Sequence, residues 1–327
     1  MSAPVVPPDD VARIVATKKA WEDRLLANPN VTGVDIDHKM VGGQYVDAPC
    51  IVVYVARKGL FAESERIPAT LDGVRTDVVQ ASFQHVPGAG GSYDSDRYNP
   101  CKGGAMISPM RDATNYGTLG CLVTDRLNGD RKCWLGCYHV ICGDSLWDAP
   151  GTDQRVVQPA KFTGAGEGDV IGFIVRGKYG RASAPNSPGV YIDAALVSIS
   201  GRMTSTDILG LPGDTDGMVN IILGTSVQKY GAKTGSTAGT IRSDNFTMNF
   251  YDALGRRSTF YNQLKIMGQT GQFCDGGDSG AVVFEQQDDP DHPNRYSALG
   301  MIIGQGGAAY CVATPMESIA AGLNIWF

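Results

Sequence analysis

Cys274-Asp275-Gly276-Gly277-Asp278-Ser279-Gly280-Ala281-Val282-Val283 is the stretch on which the reading of this chain turns. Ser279 stands between Gly277, Asp278 and Gly280, where the backbone can turn tightly and approach a ligand closely. The N–H groups of Gly277 and Ser279 can converge on one oxygen and stabilise negative charge there. The run 281–284 is apolar, as a core strand should be. A nucleophile in such a loop needs a histidine to take its proton and an acid to orient that histidine.

Both stand upstream. His139 lies near the end of the apolar run 133–141, where the end of a strand can present a general base. Asp193 is embedded in the apolar run 190–197, and a carboxylate there is costly to bury unless hydrogen-bonded. A histidine N–H would satisfy it. The order His139, Asp193, Ser279 is that of chymotrypsin-type triads and differs from the subtilisin and α/β-hydrolase orders. The intervals leave room for one small β-barrel between base and nucleophile.

The rest of the chain supports a β-rich reading. Its 327 residues suffice for two or three compact units. A hydrophobic share of 43% and a charged share of 19% fit a full core, and 42 glycines fit many turns. The net charge of −6 argues against general nucleic-acid binding, which needs a basic surplus. No apolar run reaches membrane-spanning length. The first ten residues carry neither a basic nor an apolar signal region, so the expectation is a cytoplasmic protein with mostly reduced thiols among its eight cysteines.

Residues 9–28 have helical apolar spacing, with strands expected over 31–38, 50–55 and 74–79. This predicts a small α+β domain at 1–85, suited to regulation or docking of a partner protein. His38 and His85 are isolated and read as solvated or capping residues. Residues 86–104 are rich in Gly and Pro and read as a linker. Beyond it, short apolar runs alternate with turns, among them a hairpin at Asn128-Gly129, and 314–323 reads as a closing helix. The fold class is therefore mainly β, with the second domain at 105–327.

These features resemble the trypsin/chymotrypsin-type serine peptidases. Gly277-Asp278-Ser279-Gly280 matches their nucleophile loop, Cys137-Tyr138-His139-Val140 is similar to their histidine strand, and Asp193-Ala194-Ala195-Leu196 to their aspartate strand. Lys229, Gly231, Thr234, Gly235, Thr237 and Gly239 are spaced as in the segment that opens the second barrel of many bacterial and plant relatives. Gly300-Met301-Ile302-Ile303-Gly304 resembles the strand walling the substrate pocket. The N-terminal unit resembles that of the plant narrow-leaf-type trypsin-like proteins and their bacterial relatives. Tyr138 departs from the pattern, standing where a second histidine or asparagine is usual.

The resemblance implies a chymotrypsin-like double β-barrel and a serine endopeptidase acting on proteins or peptides without a cofactor. His139, Asp193 and Ser279 would form the triad, and Gly277 and Ser279 the oxyanion hole. Ile303 and Gly304 would line the substrate pocket, with Phe273 at its base. Phe273 stands where trypsin-type enzymes carry an aspartate, which implies a preference for apolar or small side chains. Zymogens of this type free an Ile-Val-Gly-Gly-like terminus to pair with the aspartate before the nucleophile, here Asp278. No such sequence stands near 86–104, so the expectation is that internal hydrogen bonds satisfy Asp278 and the uncut chain is competent.

Other readings of the same residues are weaker. Cys133, Cys137, His139 and Cys142 are zinc-ligand types, but an extended strand puts Cys133 about 20 Å from His139. Buried thiols, or a Cys121–Cys142 bridge of the kind chymotrypsin-type enzymes often carry near the histidine, suit these cysteines better. Ser226-Val-Gln-Lys229 with Lys233-Thr234-Gly235 mimics penicillin-binding motifs, which must come from distant segments. Ala281 breaks the G-x-S-x-G elbow. The alternative of another class is a protease-like fold serving as a protein-binding or scaffold module.

Overall fold

The computed structural model describes residues 8–41, 44–59, 66–85, 88, 93–143, 147–182, 189–251, 257–287, 294–307 and 310–327. The chain divides into two units: residues 1–84 with 242–264, and residues 85–241 with 265–327. The first therefore takes in a segment that the sequence reading assigned to the domain at 105–327.

In the first unit, the helix Pro8–Leu26 packs Ile14, Leu25 and Leu26 into a core with Val31, Val34, Ile51, Val53 and Val55. The strands Val31–Val41 and Gln44–Val55 form an antiparallel pair, with Val34 opposite Val53. Val74–Gln80 joins Gln44–Val55 in parallel. On the other edge, Gly33 and Val34 pair with Met248 and Thr247. The run Cys50-Ile-Val-Val-Tyr-Val55 is apolar throughout because both its faces are buried. Tyr54 packs edge-on against Phe83 and Phe246, on the face away from the helix core.

Two sheets build the second unit. One runs in the spatial order Ile325–Trp326, Leu122–Asp125, Arg131–Gly136, Val190–Ser198, Val170–Ala182, Arg155–Val157, Met106–Pro109, Gly117–Thr118. The other contains, in order, Ser226–Gly231, Val282–Gln286, Arg295–Gly306, Tyr310–Pro315, Arg257–Gly268 and Gly235–Tyr251, with residues 242–264 of the last two strands belonging to the first unit. Gly235–Tyr251 pairs back onto Ser226–Gly231, so this ring of strands closes and leaves few exposed edges. The fold is mainly β, with its sheets curled into half-barrels. The hairpin at Asn128-Gly129 is present, with Gly129 left-handed at φ 66°. The closing helix is Met316–Leu323, with Pro315 at its N-cap and not inside its first turn.

Two expectations need correction. The strand leading to His139 ends at Gly136, and His139 sits on a separate helical turn, Tyr138–Ile141. The described part of the expected linker is tied down. Gly88 pairs with Tyr116, the Asp94 amide donates to Ala232, and Cys101–Gly103 pairs in parallel with Thr204–Ile208. Tyr93 stacks near Tyr116 and Phe162, giving this glycine-rich stretch an aromatic anchor. Residues 86, 87 and 89–92 lie outside the described residues. Of the two readings offered for Cys121 and Cys142, buried thiols hold, and the disulfide among the described residues joins Cys274 to Cys311. Burial pushes the Cys121 thiol up to about 12 and raises Cys142 as well, so both stay protonated.

Candidate active site

Ser279 lies on a turn that only glycines can flank. Gly277 and Gly280 hold φ of 109° and 101°. A Cβ on Gly280 would come 2.0 Å from the Thr118 carbonyl, and one on Gly277 2.5 Å from the Tyr116 ring. The loop is pinned from both sides. Thr118 donates its amide to the Ser279 carbonyl at 2.8 Å and its hydroxyl to the Gly277 carbonyl at 2.8 Å. Gly280 donates its amide to the Ile302 carbonyl at 2.9 Å.

The amides of Asp275, Gly276, Asp278, Gly280 and Ala281 all donate within the protein. Among the described residues, those of Gly277 and Ser279 have no such acceptor. They are the two N–H groups expected to meet an oxyanion. Beside them lies the Tyr116 hydroxyl, buried and without a hydrogen-bond partner among the described residues. Burial, with Asp278 and other groups nearby, pushes the Tyr116 phenol up to about 12, so it remains a neutral donor.

His139 and Asp193 meet as the sequence reading expected. Asp193, fully buried in Val190–Ser198, accepts the His139 amide at 3.0 Å through Oδ1. Its Oδ2 lies 2.5 Å from His139 Nδ1. Burial pushes the Asp193 carboxyl up, but the charge and hydrogen bonds of His139, with His85, outweigh it and leave it below the usual carboxylate range. The carboxylate fixes Nδ1 as the protonated nitrogen and leaves Nε2 as the basic one. Gly117 holds the two halves close: a Cβ there would meet Val140, on the histidine turn, at 2.5 Å and the Ser279 carbonyl at 2.8 Å.

Asp278 is satisfied internally, as expected, and its chief partner is a buried cation. Lys229 Nζ lies 3.1 Å from Oδ2, and both side chains are fully buried. Thr234 Oγ1 donates at 2.6 Å, and the amides of Lys233, Thr234 and Asp275 complete the shell at 3.0–3.1 Å. Burial pulls the Lys229 ammonium below its ordinary range against the opposing pull of Asp278. The alternation Val227, Lys229, Gly231, all buried, was the available signal, since it puts the lysine on the core side of its strand.

The residues expected around the substrate are all buried. Phe273 is buried, with its ring 5.8 Å from Lys229 Nζ and against Gly239. Ile303 and Gly304 are buried on the strand beside the nucleophile loop. The Ile303 carbonyl accepts Nδ1 of His85 at 2.6 Å. His85, read from sequence as solvated or capping, in fact stacks on His139 with ring centroids 4.3 Å apart, and its Nδ1 lies 3.6 Å from Asp193. No local pattern marks it, because it sits at the start of a glycine-rich stretch. Among the described residues, His85, His139 and Asp193 form the cluster whose ligand atoms could hold a metal, and the cysteines near His139 form none.

No protein-family model matches the sequence, and no curated protein matches it. Solved structures do resemble it in shape. A glutamic acid specific serine protease aligns over 69% of this chain and 99% of its own length, at 19% identity and a TM-score of 0.47. Thermobifida fusca Protease A aligns over 69% and 98%, at 19% identity and a TM-score of 0.46. The Cellulomonas bogoriensis chymotrypsin gives 69% and 98%, at 17% identity and 0.43.

Proposed function

We propose that this chain is a serine endopeptidase working through His139, Asp193 and Ser279. The observation that carries the reading is the combination at one place of a carboxylate-held histidine and a glycine-bracketed serine, whose own N–H and that of Gly277 find no acceptor among the described residues. Ser279 Oγ attacks the scissile carbonyl while His139 Nε2 takes its proton. Asp193 stabilises the imidazolium without accepting that proton. The Gly277 and Ser279 amides hold the oxyanion, and electrostatic stabilisation of this kind is worth about 3–4 kcal/mol per donor. His139 then protonates the leaving amine, and water, deprotonated by the same nitrogen, releases the acyl group. The buried Lys229 keeps Asp278 and its loop in place, in a role that zymogens leave to a freed terminal ammonium, so the uncut chain holds the loop formed. With Phe273 at the pocket base, the preferred side chain is apolar or small.

The test is labelling of the intact protein with a fluorophosphonate, paired with turnover of a peptide library. Ser279→Ala and His139→Ala should each abolish labelling and cut turnover by about 10⁴-fold or more. Turnover retained in Ser279→Ala would overturn the assignment, and strict cleavage after Arg or Lys would overturn the pocket reading. The second reading, a protease-like binding module, is favoured by one observation: His139 Nε2 is buried with no hydrogen-bond partner among the described residues. It wins if Ser279 never reacts while known serine peptidases do.

A further inference from the structure

The nucleophile loop lies between two backbone walls. On one side the strand Arg295–Gly306 accepts the Gly280 amide at Ile302. On the other, Thr118 binds the Ser279 carbonyl, and its near neighbour Tyr116 abuts Gly277. An extended polypeptide laid across the loop would find a carbonyl acceptor on each wall, which is how sheet edges capture peptide backbones. Both acceptors are already taken, by residues of this chain three positions apart. His85 Nδ1 donates to the Ile303 carbonyl at 2.6 Å. The Gly88 amide donates to the Tyr116 carbonyl at 3.0 Å, in an antiparallel bridge.

We propose that His85 and Gly88 form a self-bound cap on the candidate active site, each holding a backbone acceptor that an entering substrate chain would use. Three further observations fit it. The His85 ring stacks on His139 at 4.3 Å, covering the base whose Nε2 is buried and unpartnered among the described residues. His85 Nε2 lies 2.9 Å from the Tyr179 hydroxyl, so both ring nitrogens are engaged by groups around the site. Gly88 fits only as glycine, since a Cβ there would come 2.1–2.5 Å from the Tyr116 ring. An entering polypeptide must displace both anchors, so the intact chain rests in a covered state and opens without a change in covalent structure.

The cap rests on Ser279 being the nucleophile only for its consequence, not for its detection. Full-length wild type, His85→Ala and Gly88→Val are treated with diethyl pyrocarbonate, and acylation of His139 is followed by peptide mass spectrometry. The same samples are treated with a fluorophosphonate. Gly88→Val releases the cap from the other end and serves if His85→Ala does not fold, as checked by circular dichroism. Both variants should acylate His139 about tenfold faster than wild type, the gain expected when a minor open state becomes a major one. Ser279 labelling should rise in parallel. Faster acylation of His139 with no labelling of Ser279 keeps the cap and removes the peptidase reading. Acylation of His139 at the wild-type rate in the folded variants overturns the cap.

Discussion

At the scale of single residues, the site depends on two side chains that hold charge or proton in unusual places. Lys229 and Asp278 are a buried pair, and removing one partner of such a pair leaves an uncompensated charge. Lys229→Met should therefore cost about 3–5 kcal/mol in chemical denaturation and abolish fluorophosphonate labelling. Lys229→Arg should recover part of both, because the charge remains while its shape changes. Stability unchanged in Lys229→Met would refute this role. His85 works in the opposite sense. Burial, with the neighbouring His139, pulls it down from 6.5 to about 4, against Asp193 and the Ile303 carbonyl. The groups facing it include His139, Asp193, Tyr179 and that carbonyl. A histidine whose pKa is lower folded than unfolded takes up its proton on opening. Its neutral packing is therefore fully favourable above pH 6.5 and is lost progressively down to about pH 4. Melting temperatures measured between pH 7 and 4 should fall more steeply for wild type than for His85→Gln. Parallel curves would count against a buried neutral His85.

At the scale of elements, the nucleophile loop is held at both ends by other strands of the second unit. Cys274, five residues before Ser279, is bonded to Cys311 on the strand Tyr310–Pro315. After Ser279, Gly280 is tied to Ile302. A cross-link between residues 37 positions apart removes about 4 kcal/mol of loop entropy from the unfolded chain, with 2–4 kcal/mol the usual yield. Cys311→Ser should lower the unfolding free energy by about 2–4 kcal/mol and slow labelling of Ser279, while Cys121→Ser should leave labelling unchanged. Urea titrations of the two variants check this, and equal effects would deny the loop any special dependence on the disulfide. The short turn Tyr138–Ile141 has a parallel role for the base, since it turns both the amide and the ring of His139 toward Asp193.

At the scale of the whole molecule, the division of the chain bears on what the first 84 residues are for. Residues 242–264 belong with them, and Phe246, Met248 and Phe250 are fully buried in that arrangement. Phe246 loses Tyr54 and Phe83 as ring neighbours if residues 1–84 are removed, and Met248 loses its pairing with Gly33. A fragment covering 85–327 should therefore bind an apolar dye such as ANS strongly and aggregate at concentrations where the full chain is monodisperse. A monodisperse fragment with low dye binding would restore the picture of two domains that fold independently. The N-terminal residues share one folding unit with a segment drawn from far along the chain, and they lead directly into His85.

The amino-acid sequence alone determined the features that arise within short windows. The strands expected over 31–38, 50–55 and 74–79, observed as Val31–Val41, Gln44–Val55 and Val74–Gln80, the hairpin at Asn128-Gly129, the mainly β class and the glycine-bracketed turn at Ser279 all follow from side-chain alternation and backbone freedom over a few residues. Asp193 was legible because a carboxylate inside an apolar run must find a donor, and His139 was a donor of the right kind. Only the tertiary structure decided which distant groups meet. His85 reaches a carbonyl 218 positions away, Lys229 a carboxylate 49 away, and Cys274 bonds Cys311 while Cys121 and Cys142 stay apart. Contacts of this kind leave no periodic trace, because they depend on how closed sheets bring remote turns together. A histidine at the edge of a glycine-rich stretch looks the same in sequence whether it faces water or lies on the ring of a catalytic base.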